Sequence, residues 1–215
     1  SHGFVGAYDL TEALRRSAVA HGTRFLTSQS VVRVTSIDSG VRIETSGDTV
    51  TCASAVIAAG SWSGLVEITG AKPLPVHPVR GQLLHLGWRE QPLTRVVWSD
   101  GCYLVPWGDG SVLVGATVEK VGFDERSTVT GLRDLIEAAR QIVPGVVDAS
   151  FEAARVGLRP ATPDEMPIIG QSSVIPGLVY ATGHFRNGIL LAPITGMLVA
   201  GLIVDHVQDA VLDST

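Results

Sequence analysis

The feature that most constrains this chain lies near its end. A short apolar run, Gly177-Leu178-Val179-Tyr180-Ala181, gives way to the glycine-bearing polar stretch Thr182-Gly183-His184-Phe185-Arg186-Asn187-Gly188, and apolar sequence then continues to Val204. A strand-length apolar run, a Gly-bearing loop and a helix-length apolar run together make one strand-to-helix step of a covered sheet. A helix N-terminus presents unpaired amides and partial positive charge, so the polar loop stands where an anion is well received. Placing the helix start near Leu190 to Pro193 puts Pro193 in the first turn, where its missing N–H does no harm.

The rest of the chain is organised around that step. Asp9-Leu10-Thr11-Glu12 reads as a capping box, with Leu10, Ala13, Leu14, Ala18 and Val19 following at helical spacing and Gly22 closing the helix. Phe25 to Val34 reads as a strand region. Val41 to Thr45 alternates with period two, Ser46-Gly47-Asp48 turns, and Thr49-Val50-Thr51 returns as a hairpin. Ala55 to Gly60 is a continuous apolar run suited to a strand buried on both faces. Pro73, Pro75 and Pro78 then mark a crossover. Strands are expected over Gly81–Leu86, Arg95–Trp98, Cys102–Pro106 and Ser111–Thr117, with Gly108-Asp109-Gly110 as a hairpin turn. Leu132, Leu135, Ile136 and Ala139 share one face of a helix over Val129–Val143, which Pro144-Gly145 ends, and Ala149–Arg155 returns as a strand. The order predicts an α/β (α+β) chain: residues 1–72 and 155–215 form one discontinuous domain, and 73–154 form an inserted antiparallel sheet with a helix.

Composition removes several function classes. The 215 residues are 45% hydrophobic and 17% charged, which is a folded chain with a core. A net charge of -5 and the lack of any Lys/Arg-rich run argue against nucleic acid and anionic membrane as partners. Cys52 and Cys102 have no metal-type spacing and read as reduced thiols of a cytoplasmic protein. Ile189 to Val204 comes closest to a membrane span, but Pro193, Thr195, Gly196 and Gly201 interrupt it, so no integral membrane segment is expected. The first residues carry no signal-peptide pattern and no initiator Met, which is compatible with a fragment or a processed piece.

Four side chains have chemistry that their surroundings make conspicuous. Arg159 lies in Gly157-Leu158-Arg159-Pro160 and Arg186 in the glycine-flanked loop. A guanidinium in such a loop needs an internal acid, solvent or a bound anion, and its planar fork matches a carboxylate. Tyr103 sits between apolar strand residues, where its phenol either closes a pocket or points to water. His184 is read first as a packed, hydrogen-bonded residue rather than a base. No G-x-S-x-G elbow, no metal-ligand spacing and no G-x-G-x-x-G turn occurs, so this sequence has no pyrophosphate-binding turn of its own.

GLRPATPDEMPIIG (157–170) followed by VYATGHFRNGILLAPITGMLVAGLI (179–203) resembles the end of the glycine oxidase (ThiO-type) branch of the D-amino-acid oxidase family, which are FAD-dependent amine oxidases. DGCYLVPWGDGSVLVGATVE (100–119), VHPVRGQLLHL (76–86), SAVIAAGSWSG (54–64) and YDLTEALRRSAVAHG (8–22) extend the likeness over nearly the whole chain. The resemblance implies part of a FAD-binding Rossmann-like domain with an inserted antiparallel-sheet substrate domain. The Gly-rich N-terminal FAD-binding segment would lie before residue 1. It implies that Arg159 pairs with a substrate carboxylate, that Tyr103 hydrogen-bonds it and that Arg186 is a second pocket arginine. His184, Phe185, Arg186, Asn187, Gly188, Ile189 and Leu190 would line the flavin ring, and the backbone at Val31 would meet the adenine. Val118 stands where the family often has Met, which bears on pocket size and substrate choice.

The activity so implied is oxidation of glycine or another small amine to the imine, with dioxygen reduced to hydrogen peroxide and a place in thiamine thiazole biosynthesis. No side chain is assigned as a catalytic base. FAD is expected to be non-covalent, since neither cysteine lies near the C-terminal loop, and a homo-oligomer is expected. A sarcosine or D-amino-acid dehydrogenase with another electron acceptor, and a subunit or fragment of a split oxidase, are the alternatives.

Overall fold

In the computed structural model, which describes residues 3–89, 93–207, 209 and 212, the chain runs α1 (Ala7–Ala20), β1 (Val31–Ile37), β2 (Gly40–Thr45), β3 (Thr49–Cys52), β4 (Ala55–Ile57), β5 (Glu67–Ile68), β6 (His77–Gly87), β7 (Val97–Trp98), β8 (Tyr103–Pro106), β9 (Ser111–Gly115), α2 (Val129–Ile142), β10 (Ser150–Ala161), β11 (Ile168–Gln171), β12 (Leu178–Thr182) and α3 (Gly188–Ala200). A π-helical turn, Gly201–Asp205, extends α3. The chain divides into two compact units. A central unit holds Pro78–Leu158 with Ser1–Gly6, and a split unit holds Ala7–His77 with Arg159–Thr215.

The central unit is built on a five-stranded sheet in the order β10-β6-β9-β8-β7. Its β6–β9, β9–β8 and β8–β7 pairs are antiparallel. Of the apolar stripe foreseen for α2, Leu135 and Ala139 are buried against Leu84, Leu86, Leu104, Val112 and Val114 of the sheet and Leu132 packs beside them, whereas Ile136 is exposed. Thr128 caps α2 by accepting the Gly131 N–H at 3.2 Å, and Pro144 begins a 3-10 turn directly beyond the helix. Strand β10 is longer than its apolar pattern indicated, running to Ala161.

The split unit contains a sheet β3-β2-β1-β5 and a sheet β11-β12-β4. The hairpin β2–β3 forms as its alternation dictates, and β1 pairs with β5 in parallel. Strand β12 pairs with β11 antiparallel and with β4 in parallel, joining sequence from the two ends of the unit. Val34, Val41, Ile57, Ile68, Ile175 and Leu178 form one buried cluster.

Several local expectations need correction. Helix α1 begins at Ala7, so Asp9 is inside it and there is no capping box. Glu12 instead binds Arg15 at 2.7 Å and Arg16 at 2.8 Å, and these guanidiniums hold its carboxyl down to about 2. The helix end follows expectation: Gly22 has φ +92°, the Gly22 N–H donates to Val19 O, and the Thr23 N–H donates to Ala18 O. The first strand starts at Val31, well after Phe25. Strand β4 is only three residues long, and Val56 on it is exposed rather than buried on both faces. Helix α3 begins at Gly188, which moves Pro193 beyond the first turn into the helix interior. The Pro and Gly interruptions do not break it: Gly188–Asp205 is one helix, long and apolar enough by length and composition to cross a membrane. Cys52 and Cys102 are free thiols, as expected, and burial raises the pKa of both.

Gly177 holds the turn that delivers β12. Its φ is +80°, its carbonyl accepts the Ala55 N–H at 2.9 Å, and a Cβ there would come within 2.6 Å of Ala53 O. Gly177→Ala is expected to destabilise the fold by about 1–3 kcal/mol, read as a lower urea midpoint at unchanged slope. An unchanged midpoint would mean that the turn can shift off Ala53.

Candidate functional site

Ligands of parallel α/β sheets collect at the carboxyl ends of the strands. In the split unit, β4 and β12 are parallel neighbours with Ile57 opposite Tyr180, so the segments following Ile57 and Thr182 leave at one edge. Buried hydroxyls tie these two segments together. Ser63 Oγ lies 2.7 Å from Thr182 Oγ1, and Thr182 Oγ1 donates to Gly60 O at 3.2 Å. Both side chains are almost fully excluded from water, where an unmade hydrogen bond is expensive.

The second segment is held in an uncommon shape. Gly183 has φ +77°, and a Cβ there would sit 2.8 Å from the Thr162 methyl, so only glycine fits. Phe185, at φ +47°, is a non-glycine residue in the left-handed region, which costs about 1–2 kcal/mol. Its N–H donates to Pro160 O at 2.8 Å, which fastens the loop to the residue after Arg159. His184 Nε2 is 2.9 Å from the hydroxyl of Thr195, a buried residue of α3. Burial holds the His184 imidazole below its ordinary value, so it is neutral at pH 7. It is thus a packed, hydrogen-bonded residue.

Helix α3 starts directly after this loop. Asn187 makes no side-chain capping bond, and the first-turn amides of Gly188, Ile189 and Leu190 carry the positive end of a 13-residue helix. A Cβ added at Gly188 would meet nothing nearer than the His184 Cβ at 3.6 Å, so no neighbouring side chain crowds that position. Glycine backbone, an open helix N-terminus and apolar Ile189 and Leu190 fit the ring end of a flavin. These residues could hold that ring, but no Gly-rich strand–helix turn for its pyrophosphate occurs in the sequence.

The expected site residues are distributed as follows. His184 to Leu190 form the loop and helix start just described, with Arg186 and Leu190 exposed and His184 half-buried. Arg159 is half-buried, two residues before the end of β10. Val31 opens β1 in the other sheet of the split unit and is exposed. Tyr103 belongs to the central unit. It pairs in register with Gly115, and a Cβ at Gly115 would collide with the Tyr103 phenol, so glycine is what lets the ring lie flat there. Trp98 faces Tyr103 across β7–β8, with ring centroids 5.0 Å apart and planes at 40°.

Sequence reading missed Trp98, Gly60, Ser63, Thr182 and Thr195. The first was within reach, because both strands were foreseen, and facing aromatics follow once the register is set. The hydroxyl residues carried no local signal.

The family model described as FAD dependent oxidoreductase (DAO) matches residues 1–202. The glycine oxidase of Geobacillus kaustophilus (strain HTA426) is 36% identical over 203 residues, covering 94% of this chain and 54% of that protein. A protein of Nostoc sp. described as bifunctional protein ThiO/ThiG is 42% identical over 176 residues, covering 80% of this chain and 26% of that one. The solved structure of glycine oxidase from Geobacillus kaustophilus matches with a TM-score of 0.88 at 35% identity, covering 95% of this chain and 55% of that chain. The chain spans about half the length of the glycine oxidases that it matches.

The lowered His184 value has a consequence for stability. Between that value and about 6.5 the folded state binds fewer protons than the unfolded chain. The contribution is therefore fully present above about 6.5 and is lost as pH falls toward the folded value. Urea unfolding at several pH values should show stability rising with pH more steeply for wild type than for His184→Gln just below pH of about 6.5. Equal slopes would remove His184 from the pH dependence.

Proposed function

Because the chain belongs to the DAO family of FAD dependent oxidoreductases, we propose that it carries the substrate-binding part and much of the flavin-ring contact of an FAD-dependent oxidase acting on glycine or another small amino acid. The observation that carries this reading is the loop 183–188, locked at the carboxyl edge of β4 and β12 and ending in the open N-terminus of α3.

Each assigned group has a physical reason for its role. Arg159 is the carboxylate anchor of the split unit, since its always-charged fork makes two parallel charge-assisted hydrogen bonds. Tyr103 is the donor of the central unit, its phenol set by Gly115 beneath and Trp98 beside it. Arg186, exposed in the loop, is a second cation available to the substrate. The amides of Gly188, Ile189 and Leu190 favour negative charge on whatever ring edge lies before them. Bound FAD would supply two-electron acceptance from the amine carbon and reoxidation by dioxygen. His184 Nε2 is engaged with Thr195, so no side-chain base is assigned. Neither Cys52 nor Cys102 lies in the 183–190 loop, which supports non-covalent FAD.

Two helices of the split unit support a further part of the reading. No residue of α1 is buried, and Tyr8 and Leu14 are exposed; on α3, Leu190 and Met197 are more than two-thirds exposed. In the proposed oxidase these faces are covered by the Gly-rich segment that binds the FAD pyrophosphate, on the same chain or on a partner chain. The likeness to a ThiO/ThiG protein supports delivery of the imine to a thiazole-forming step.

The test is a visible spectrum of the purified protein followed by anaerobic titration with glycine and then an oxygen electrode. Flavin bands should appear, bleach with glycine and give hydrogen peroxide in air, and acid precipitation should release the colour. Arg159→Ala should raise the glycine KM at least about 10-fold. A flavin-loaded protein that no small amine bleaches would refute the reading, and an unchanged KM in Arg159→Ala would refute the anchor.

A further inference from the structure

Strand β6 carries two buried polar side chains that the proposed reaction does not use. Arg80 is 3% exposed and Gln82 is 0% exposed. Arg80 Nη2 and Nε donate to the Glu119 carboxylate at 2.6 and 3.2 Å. Arg80 Nη1 meets Asp124 Oδ2 at 2.9 Å and donates to the Asp124 and Arg126 carbonyls at 3.3 and 3.1 Å. Gln82 Nε2 donates to Glu119 Oε1 at 2.7 Å and to Thr128 Oγ1 at 3.0 Å, while Gln82 Oε1 accepts the Thr128 N–H at 2.8 Å. The Thr117 hydroxyl accepts the Gln82 backbone N–H at 2.9 Å and donates to Glu119. A buried network satisfied this fully holds one geometry, and loss of one member leaves others unpaired.

What the network holds is the segment 117–119. Its backbone pairs with β6: the Thr117 N–H donates to Gln82 O at 3.3 Å, and Arg80 and Glu119 exchange N–H bonds at 2.8 and 3.0 Å. Thr117 and Glu119 turn their side chains to Gln82 and Arg80. That face of the sheet packs on α2, because Gln82 reaches the α2 cap at Thr128 and its neighbours Leu84 and Leu104 share a core with Leu135. Val118, between them, turns to the opposite face and is 59% exposed. Tyr103, next to Leu104, turns to that same opposite face, over Gly115.

We propose that Arg80, Gln82, Thr117 and Glu119 are positioning residues that fix Val118 on the Tyr103 face of the sheet and thereby set the size of amine that the oxidase accepts. The proposal rests on Tyr103 as a substrate-binding residue. The network touches no reacting atom; it acts through the one apolar side chain that it aims.

The test compares kcat/KM for glycine and D-alanine, which differ by one methyl group, in the flavin-loaded full chain. The ratio is measured within one preparation, so a loss of folded enzyme cancels from it. Glu119→Ala should change the ratio at least about fivefold, within the range that one methylene group commands in a pocket. Val118→Ala should change it in the same direction, and the double variant should fall short of the product of the two. Should Glu119→Ala not fold, Thr117→Val removes one shared hydroxyl and should shift the ratio in the same direction by less. A ratio within about twofold of wild type in a folded variant, or full additivity with Val118→Ala, would overturn the proposal. A flavin-loaded wild type that oxidises neither amine would instead overturn the function on which it rests.

Discussion

The parallel pairing of β4 with β12 is the constraint on which the functional geometry depends. Leu178, Val179 and Tyr180 lie opposite Ala55, Val56 and Ile57, so residues separated by the whole central unit in sequence become neighbours. Three backbone pairs would be a weak join for so long a closure. The join is strengthened by the Ala55 N–H to Gly177 O bond, by the buried Ile57 and Leu178 side chains, and by the Ser63–Thr182 pair at the edge. Because both strands end together, the Gly60 turn and the 183–188 loop leave from one edge. Any ligand bound there meets sequence from both parts of the split unit.

The same join explains how a strained loop persists. A left-handed Phe185 is unfavourable by itself, and it stays because its N–H has Pro160 O as partner while His184 is bound to Thr195. The loop is over-determined from two sides, by β10's last turn of chain and by α3. Strain and restraint together keep the first-turn amides of α3 aimed without a side-chain cap. A cap at Asn187 would satisfy those amides locally and remove their field from a ligand.

How legible this was in sequence depended on the range of the interaction. The extent of helix α2 and the β2–β3 hairpin were read correctly because apolar periodicity and turn residues are local signals. The start of α1 was misplaced for an equally local reason: Asp9 and Glu12 have capping-box spacing, yet Glu12 finds two guanidiniums three and four residues on. Pro193 suggested too late a start for α3, because a helix without a side-chain cap gives no sequence mark of its first residue. Strand β11 escaped notice, since four residues after a Pro-rich turn show no alternation until Gly170 is seen opposite Tyr180. The Arg80–Gln82–Glu119 network was illegible for the opposite reason. Its β6 residues lie more than 30 positions from Glu119 and meet it only once β6 and the 117–119 segment are paired.

Helix α3 bears on both the loop before it and the exposed apolar surface of the split unit. A helix apolar on every side is stable only inside a protein core or a bilayer. Here its buried residues, Thr195, Leu198 and then Leu202, follow one another at three- and four-residue steps and form a single stripe, with Ile194 and Met197 outside it. One of the buried positions is a threonine hydrogen-bonded to His184, a polar anchor that fixes which face turns inward. The opposite face then needs an apolar partner of its own. In the proposed oxidase that partner is more of the FAD-binding domain, and the helix N-terminus is thereby closed off from water on the side where the flavin ring would lie. The closure matters because a helix end and a guanidinium act on charge more strongly when water is kept away.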